Sequence, residues 1–250
     1  MDLPSYVWQR EAAVASAPRG WINGRGWDLG WLVGSALVVP AILIAVWAGV
    51  SSTVINLGVT AVIGGPHLFS TYTATYLDSR FRRSHRLVLI AAAILVPALV
   101  CYLAVTNHQI LMSVFIFMAS LHVLQQNAYL SDVYRKRVGH PEPRWSRWVD
   151  YGLLFTCIYP IAAYKLVHGE FSLGDTLILI PRFLLVPATY WAVWTAFGLL
   201  LAVWMGKSVV EWRRGLLNRP KTLLIAVTTV VAFCVPMAER GGRLELAFQG

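Results

Sequence analysis

Seven apolar stretches divide the sequence: 29–50, 53–77, 87–105, 110–130, 151–167, 185–205 and 223–238. A helix needs about 20 apolar residues to cross the hydrocarbon layer of a bilayer, and only helices or closed barrels satisfy their backbone there. The pattern therefore predicts an all-α, polytopic transmembrane bundle of about seven helices. Arg86 and Asn107 bound the third stretch, Asp150 and His168 the fifth. Segment 173–181 is too short to span and is interrupted by Pro181, Arg182 and Pro187, so it predicts an interfacial or re-entrant piece.

Composition agrees with this and predicts an orientation. Of the 250 residues 57% are hydrophobic and 13% charged, with mean hydropathy +0.60; soluble chains carry about a quarter charged residues. The net charge of +9 does not point to nucleic acid, because the basic residues sit in short clusters between apolar runs. Arg10, Arg19 and Arg25 precede the first run, and Arg80, Arg82, Arg83 and Arg86 follow the second. Arg135, Lys136, Arg137, Arg144 and Arg147 follow the fourth, and Lys207, Arg213, Arg214, Arg219 and Lys221 the sixth. Only Lys165, Arg182, Arg240 and Arg243 lie elsewhere. By the positive-inside bias this predicts a cytoplasmic N-terminus in a bacterial-type inner membrane, with Trp27, Trp31, Trp145, Trp148 and Trp212 near the inner border and Trp47 near the outer. Seven crossings then reverse the rhodopsin topology, and no lysine lies in 223–238 to carry a retinal Schiff base.

Residues 1–27 read as a cytoplasmic tail, 28–238 as the membrane domain and 239–250 as a non-cytoplasmic tail. No signal-peptide core precedes the first run, which therefore serves as an uncleaved anchor. The ending Leu244–Gly250 reads as the start of a further apolar stretch, an eighth helix continuing past Gly250, or as the remnant of a protease-cleavage tag. Cys101, Cys157 and Cys234 lie inside apolar runs without paired spacing and read as reduced packing residues. An echo at an offset of 53 links Thr75-Tyr76-Leu77 and Phe81-Arg82-Arg83 to Ala128-Tyr129-Leu130 and Tyr134-Arg135-Lys136; shared interface chemistry explains it as well as duplication does.

Polar residues inside a bilayer are costly and normally face protein, so the few that break the apolar runs carry the chemistry. In the second helix Asn56, His67 and Asp78 recur every eleven residues, joined by Thr60, Thr71 and Ala74 on one face that should point inward. In the fourth, His122, Gln126 and Tyr129 share a face, with Gln125, Asn127 and Asp132 nearby. Both histidines fall near the midplane, ~12–15 Å from the inner ends of their helices. Gly64-Gly65-Pro66 predicts a kink or break beside His67. Asp78 and Asp132 are expected to pair with Arg82 and Arg135 or to relay protons to the histidines. His85, His108, His140 and His168 read as surface residues.

Neutral imidazole is the commonest protein metal ligand. His67 and His122 therefore predict a site for a transition metal, iron first, or for a b-type haem, with Asn56, Thr71, Gln125, Gln126 and Tyr129 as supporting or substrate contacts. Two histidines alone are few for such a site, and no carboxylate sits at their depth; the competing reading is two structural histidines bonded to Ser, Thr or backbone partners. Pro66-His67 is similar to the Pro-His element of the bacterial Brp/Blh membrane dioxygenases, and Ser120-Leu121-His122 resembles their Ser-x-x-His element. Here Ser120 stands one residue closer to its histidine, Leu68 replaces the usual Gly, and the family's later histidines have no match before Gly250. The resemblance implies iron held by His67 and His122 and oxygen-dependent cleavage of a lipophilic polyene. The HxxxH and HxxHH clusters of membrane desaturases are missing from the sequence. The resulting expectation is a membrane oxidoreductase or oxygenase acting on a lipophilic small molecule that enters from the bilayer. Its alternatives are a transporter with a midplane histidine site and a non-catalytic subunit of a membrane complex or homo-oligomer.

Overall fold

The computed structural model describes residues 20–138, 142–160, 172–173 and 176–238. The described residues are mostly helical. The main helices among the described residues are α1 (Arg25–Trp47), α2 (Thr53–Leu77), α3 (Ser79–Ser84), α4 (Arg86–Thr106), α5 (His108–Arg137), α6 (Arg144–Thr156), α7 (Pro187–Arg213) and α8 (Arg219–Ala238). Five of them, α1, α2, α4, α5 and α7, are long and apolar enough to cross a membrane. The predicted interfacial segment contains a minimal antiparallel ladder, Ser172–Leu173 with Thr176–Leu177. Of the predicted fifth span, residues 161–167 lie outside the described ones.

Local chemistry explains the helix ends. Asn107 stops α4 and starts α5 in a single residue, its Oδ1 accepting from Ile110 N at 3.0 Å. Pro187 opens α7 after extended Val186, where a missing N–H costs nothing. Past the end of α7, Gly215 adopts φ 68°, and the N–H groups of Gly215 and Leu216 return to the Trp212 and Glu211 carbonyls. That is a Schellman stop, and the left-handed conformation suits glycine.

At Gly64-Gly65-Pro66, where a kink or a break was expected, the helix does not break. α2 stays continuous by widening into a π-turn over Thr60–Gly64, with Gly65 N donating to Thr60 O, five residues back. A Cβ on Gly65 would stand 3.3 Å from that oxygen, which glycine avoids. A second π-turn, Thr73–Leu77, closes α2.

Two compact units share the chain: residues 1–41, 119–169 and 181–239, and residues 42–118, 170–180 and 240–250. In the first, α6, α7, α8 and the later part of α5 enclose a core of Leu124, Leu153, Leu154, Cys157, Phe197, Trp204 and Ile225. Gly152 marks a close approach of α6 to α7, since a Cβ there would meet Leu200 at 3.0 Å. Small residues at such crossings let helices gain van der Waals contact, the main source of packing energy between apolar helices in lipid. In the second unit most apolar side chains of α2 and α4 are exposed. Tyr76 ties those helices through a hydrogen bond to Leu89 O at 3.2 Å. The hairpin segment rests on the start of α5, where Leu179 N donates to Ser113 Oγ at 2.8 Å.

Candidate functional site

The charged end of the first unit is the most densely bonded region among the described residues. Asp150 on α6 is fully buried and receives Arg135 of α5 at 2.8 Å, Lys221 of α8 at 2.9 Å, and Lys207 of α7. Lys221 also meets Glu142 at 2.5 Å, and Glu142 accepts from Arg135 Nε at 2.9 Å. Lys207 donates to Ser146 Oγ at 3.1 Å and lies 3.9 Å from Glu211. Arg135 reaches Asp132 as well, and Arg147 and Tyr151 donate to the same carboxylate. Four carboxylates, Asp132, Glu142, Asp150 and Glu211, thus face four cations, Arg135, Arg147, Lys207 and Lys221. Burying most of these charges is tolerable only because each has partners; Arg147 alone of the eight is exposed. Burial opposes ionisation of Glu142, yet the hydrogen bonds and charges of Lys221 and Arg135 outweigh it and hold the carboxyl below its ordinary range.

A second knot lies beside it. Asp28, fully buried at the start of α1, accepts from Ile22 N at 2.7 Å, Asn23 N at 3.1 Å and Tyr134 OH at 3.2 Å. Asn218 donates to Tyr134 O at 3.0 Å and receives Lys221 N. Tyr134 therefore joins α1, α5 and the turn between α7 and α8.

From the charged end a groove of about 610 Å³ runs between α5 and α6. Gln125, Ala128, Tyr129 and Asp132 line it from α5, and Trp148, Tyr151, Gly152 and Phe155 from α6. A second hollow of about 400 Å³ continues along α5, lined by His122, Gln125, Gln126, Tyr129 and Leu130. Gln125 and Tyr129 border both. His122, Gln125, Gln126, Tyr129 and Asp132 follow helical spacing, so one face of α5 presents them all. The Gln126 amide nitrogen stands 2.9 Å from His122 Nε2.

The other expected site residues are distributed differently. His67 belongs to the second unit and is exposed on α2; its carbonyl accepts from Ser70 Oγ at 2.8 Å and from Thr71 Oγ1 at 3.0 Å. Thr71 is thus occupied by the backbone of its own helix. Asn56 lies on α2, with its side chain outside the described ones. Thr60, Thr71 and Ala74 are exposed. Asp132 pairs with Arg135, but Asp78 is not paired with Arg82: it caps α3, accepting from Arg80 N at 2.7 Å and Phe81 N at 2.9 Å, while Arg82 donates to Tyr76 O. Those backbone donors, with Phe81 the stronger, hold the Asp78 carboxyl below its ordinary value.

Among the described residues no three His, Cys, Asp or Glu side chains gather as a metal-binding group, and His122 Nε2 is already engaged by Gln126. The ion network was missed from sequence, where Asp150, Lys207 and Lys221 read only as borders of apolar runs. The readable signal was the few acidic residues interleaved with basic clusters, as in Lys207 and Glu211 four apart. No protein-family model, curated protein or solved structure matches the chain.

Proposed function

We propose that this chain is a multi-pass protein of a bacterial-type inner membrane, with about seven crossings and a cytoplasmic N-terminus, that takes a lipophilic small molecule from the bilayer into the α5–α6 groove. The lining of that groove carries the reading: aromatic walls from Tyr129, Trp148, Tyr151 and Phe155, with polar groups confined to its ends. Its volume falls within the range of sites for small ligands, and a mostly apolar lining with few polar groups is what such sites use. The 30 residues of α5 extend ~45 Å, longer than a ~30 Å hydrocarbon core. Its charged end therefore belongs at the interface, and the His122 face lies deeper. The test is extraction and mass-spectrometric identification of lipophilic material retained by the purified protein. Wild type should carry one enriched compound that Gln125→Trp, which fills the groove from an exposed position, loses. Identical extracts from both would overturn the reading.

A second reading, an oxidoreductase using iron or b-type haem, is favoured by one feature: the imidazole of His122 opens onto the second hollow. It requires ligands in addition to His122. Metal analysis and an absorption spectrum of wild type, His67→Ala and His122→Ala test it. A stoichiometric metal or Soret band lost in both variants supports it, and a colourless, metal-free protein contradicts it.

A further inference from the structure

We infer that the occupant of the α5–α6 groove is an anionic phospholipid, its headgroup held by Arg147 and its chain lying along α5 toward His122. The inference rests on the lateral-binding reading above and deepens it. Arg147 is held in place yet open: Nη2 donates to Asp132 at 2.5 Å and to Tyr151 OH at 2.9 Å, Nε lies 3.3 Å from the same hydroxyl, and the guanidinium sits 5.1 Å from the Tyr151 ring centre. Its side chain is nevertheless 52% exposed, and Nη1 has no hydrogen-bond partner among the described residues. A guanidinium fixed on one edge and free on the other is suited to a phosphate oxygen.

The surrounding charge favours an anion. Asp132, the carboxylate in the groove lining, is already met by Arg135, Arg147 and Tyr151. Along the first turns of α6 the exposed residues are Arg144, Trp145, Arg147 and Trp148, two cations and two indoles with no carboxylate among them. Indoles settle at the headgroup level and basic side chains near it attract anionic lipid. A choline headgroup would bring its fixed positive charge against Arg144 and Arg147, whereas a glycerol headgroup would not.

The groove also has a direction. Asp132 and Trp148 mark its charged end, and Gln125 and Phe155, seven residues away on each helix, mark the other, ~10 Å further at 1.5 Å per residue. His122 lies ten residues from Asp132, ~15 Å along α5. A lipid anchored at Arg147 therefore presents the middle of its chain, not its headgroup, to the imidazole and the Gln126 amide.

The experiment is native mass spectrometry of the detergent-purified full chain with dioleoyl phosphatidylglycerol or dioleoyl phosphatidylcholine. Wild type should retain the glycerol lipid about tenfold more tightly, the scale of one charge-assisted hydrogen bond. Arg147→Gln should remove that preference while leaving choline-lipid binding unchanged, and Gln125→Trp should weaken both. Equal binding of the two lipids by wild type, with both lost in Gln125→Trp, overturns the anionic headgroup and leaves the groove standing. Failure to retain either lipid, or indifference to Gln125→Trp, overturns the groove itself. The wild-type comparison needs no variant, so misfolding of Arg147→Gln would not obscure it.

Discussion

The charged ends of α2 and α5 begin from nearly the same sequence and finish as different structures. Tyr76-Leu77-Asp78-Ser79 echoes Tyr129-Leu130-Ser131-Asp132, with aspartate and serine exchanged, and an aromatic-then-basic run follows each. At the first, Asp78 leaves the helix at ψ 111° and caps α3, a short exposed turn. At the second, Ser131 continues the helix with its hydroxyl fully buried, and Asp132, one residue later, faces Arg135, Arg147 and Tyr151. The hydroxyl of Ser131 is buried without a hydrogen-bond partner. An aspartate ends a helix where only backbone amides answer its charge, and stays within one where tertiary partners do. The exchange of one residue pair also decides which side of the helix carries the charge, because neighbours lie ~100° apart.

The double substitution Ser131→Asp, Asp132→Ser copies the α2 order onto α5 and should have the largest effect. It buries a carboxylate without a partner and removes the acceptor that Arg135, Arg147 and Tyr151 share. The expected loss is about 3–5 kcal/mol or more, read as a collapse of the thermal transition in detergent. A near-normal transition would show that the position of the charge is immaterial. Asp150→Ala should come close behind, again about 3–5 kcal/mol, because it leaves Arg135, Lys207 and Lys221 without their shared carboxylate. Combining Asp150→Ala with Lys207→Met should recover part of that loss; a strictly additive result would contradict a coupled network.

Acid separates the two regions further. The folded protein holds Glu142 below its ordinary value of 4.5, so its carboxylate contributes fully above that pH and the contribution disappears as pH falls through the lower folded value. Stability should therefore fall with acidification in that window, with a shallower slope in Glu142→Gln; equal slopes would remove Glu142 from the account. The smallest effect belongs to Asp78→Ala. It should speed amide exchange in Ser79–Ser84 and leave the main unfolding transition where it was, whereas a shifted transition would make this cap a global element.

The membrane-length helices were legible in the sequence because a bilayer demands long apolar runs. Their ends were less so: α6 begins at Arg144, within what read as a basic loop, because Ser146 and Asp150 face buried cations while Trp145 and Trp148 stay exposed. The α5 half of the candidate site was equally legible, since His122, Gln125, Gln126 and Tyr129 stand out against Leu and Val at helical spacing. The α6 half was not, because Trp148, Tyr151 and Phe155 are also what an interface helix carries for packing alone. The ion network stayed hidden for a different reason. Its members come from four helices and the connection ahead of α6, and charges at the ends of apolar runs look the same whether solvated or paired.

The most direct test of lateral binding is photo-crosslinking in native membranes, with a photoreactive amino acid at position 125 in the groove or at position 95 on exposed α4. The account predicts a single lipophilic compound captured at 125, against the mixture of bulk bilayer lipids captured at 95. The same mixture at both positions would contradict it.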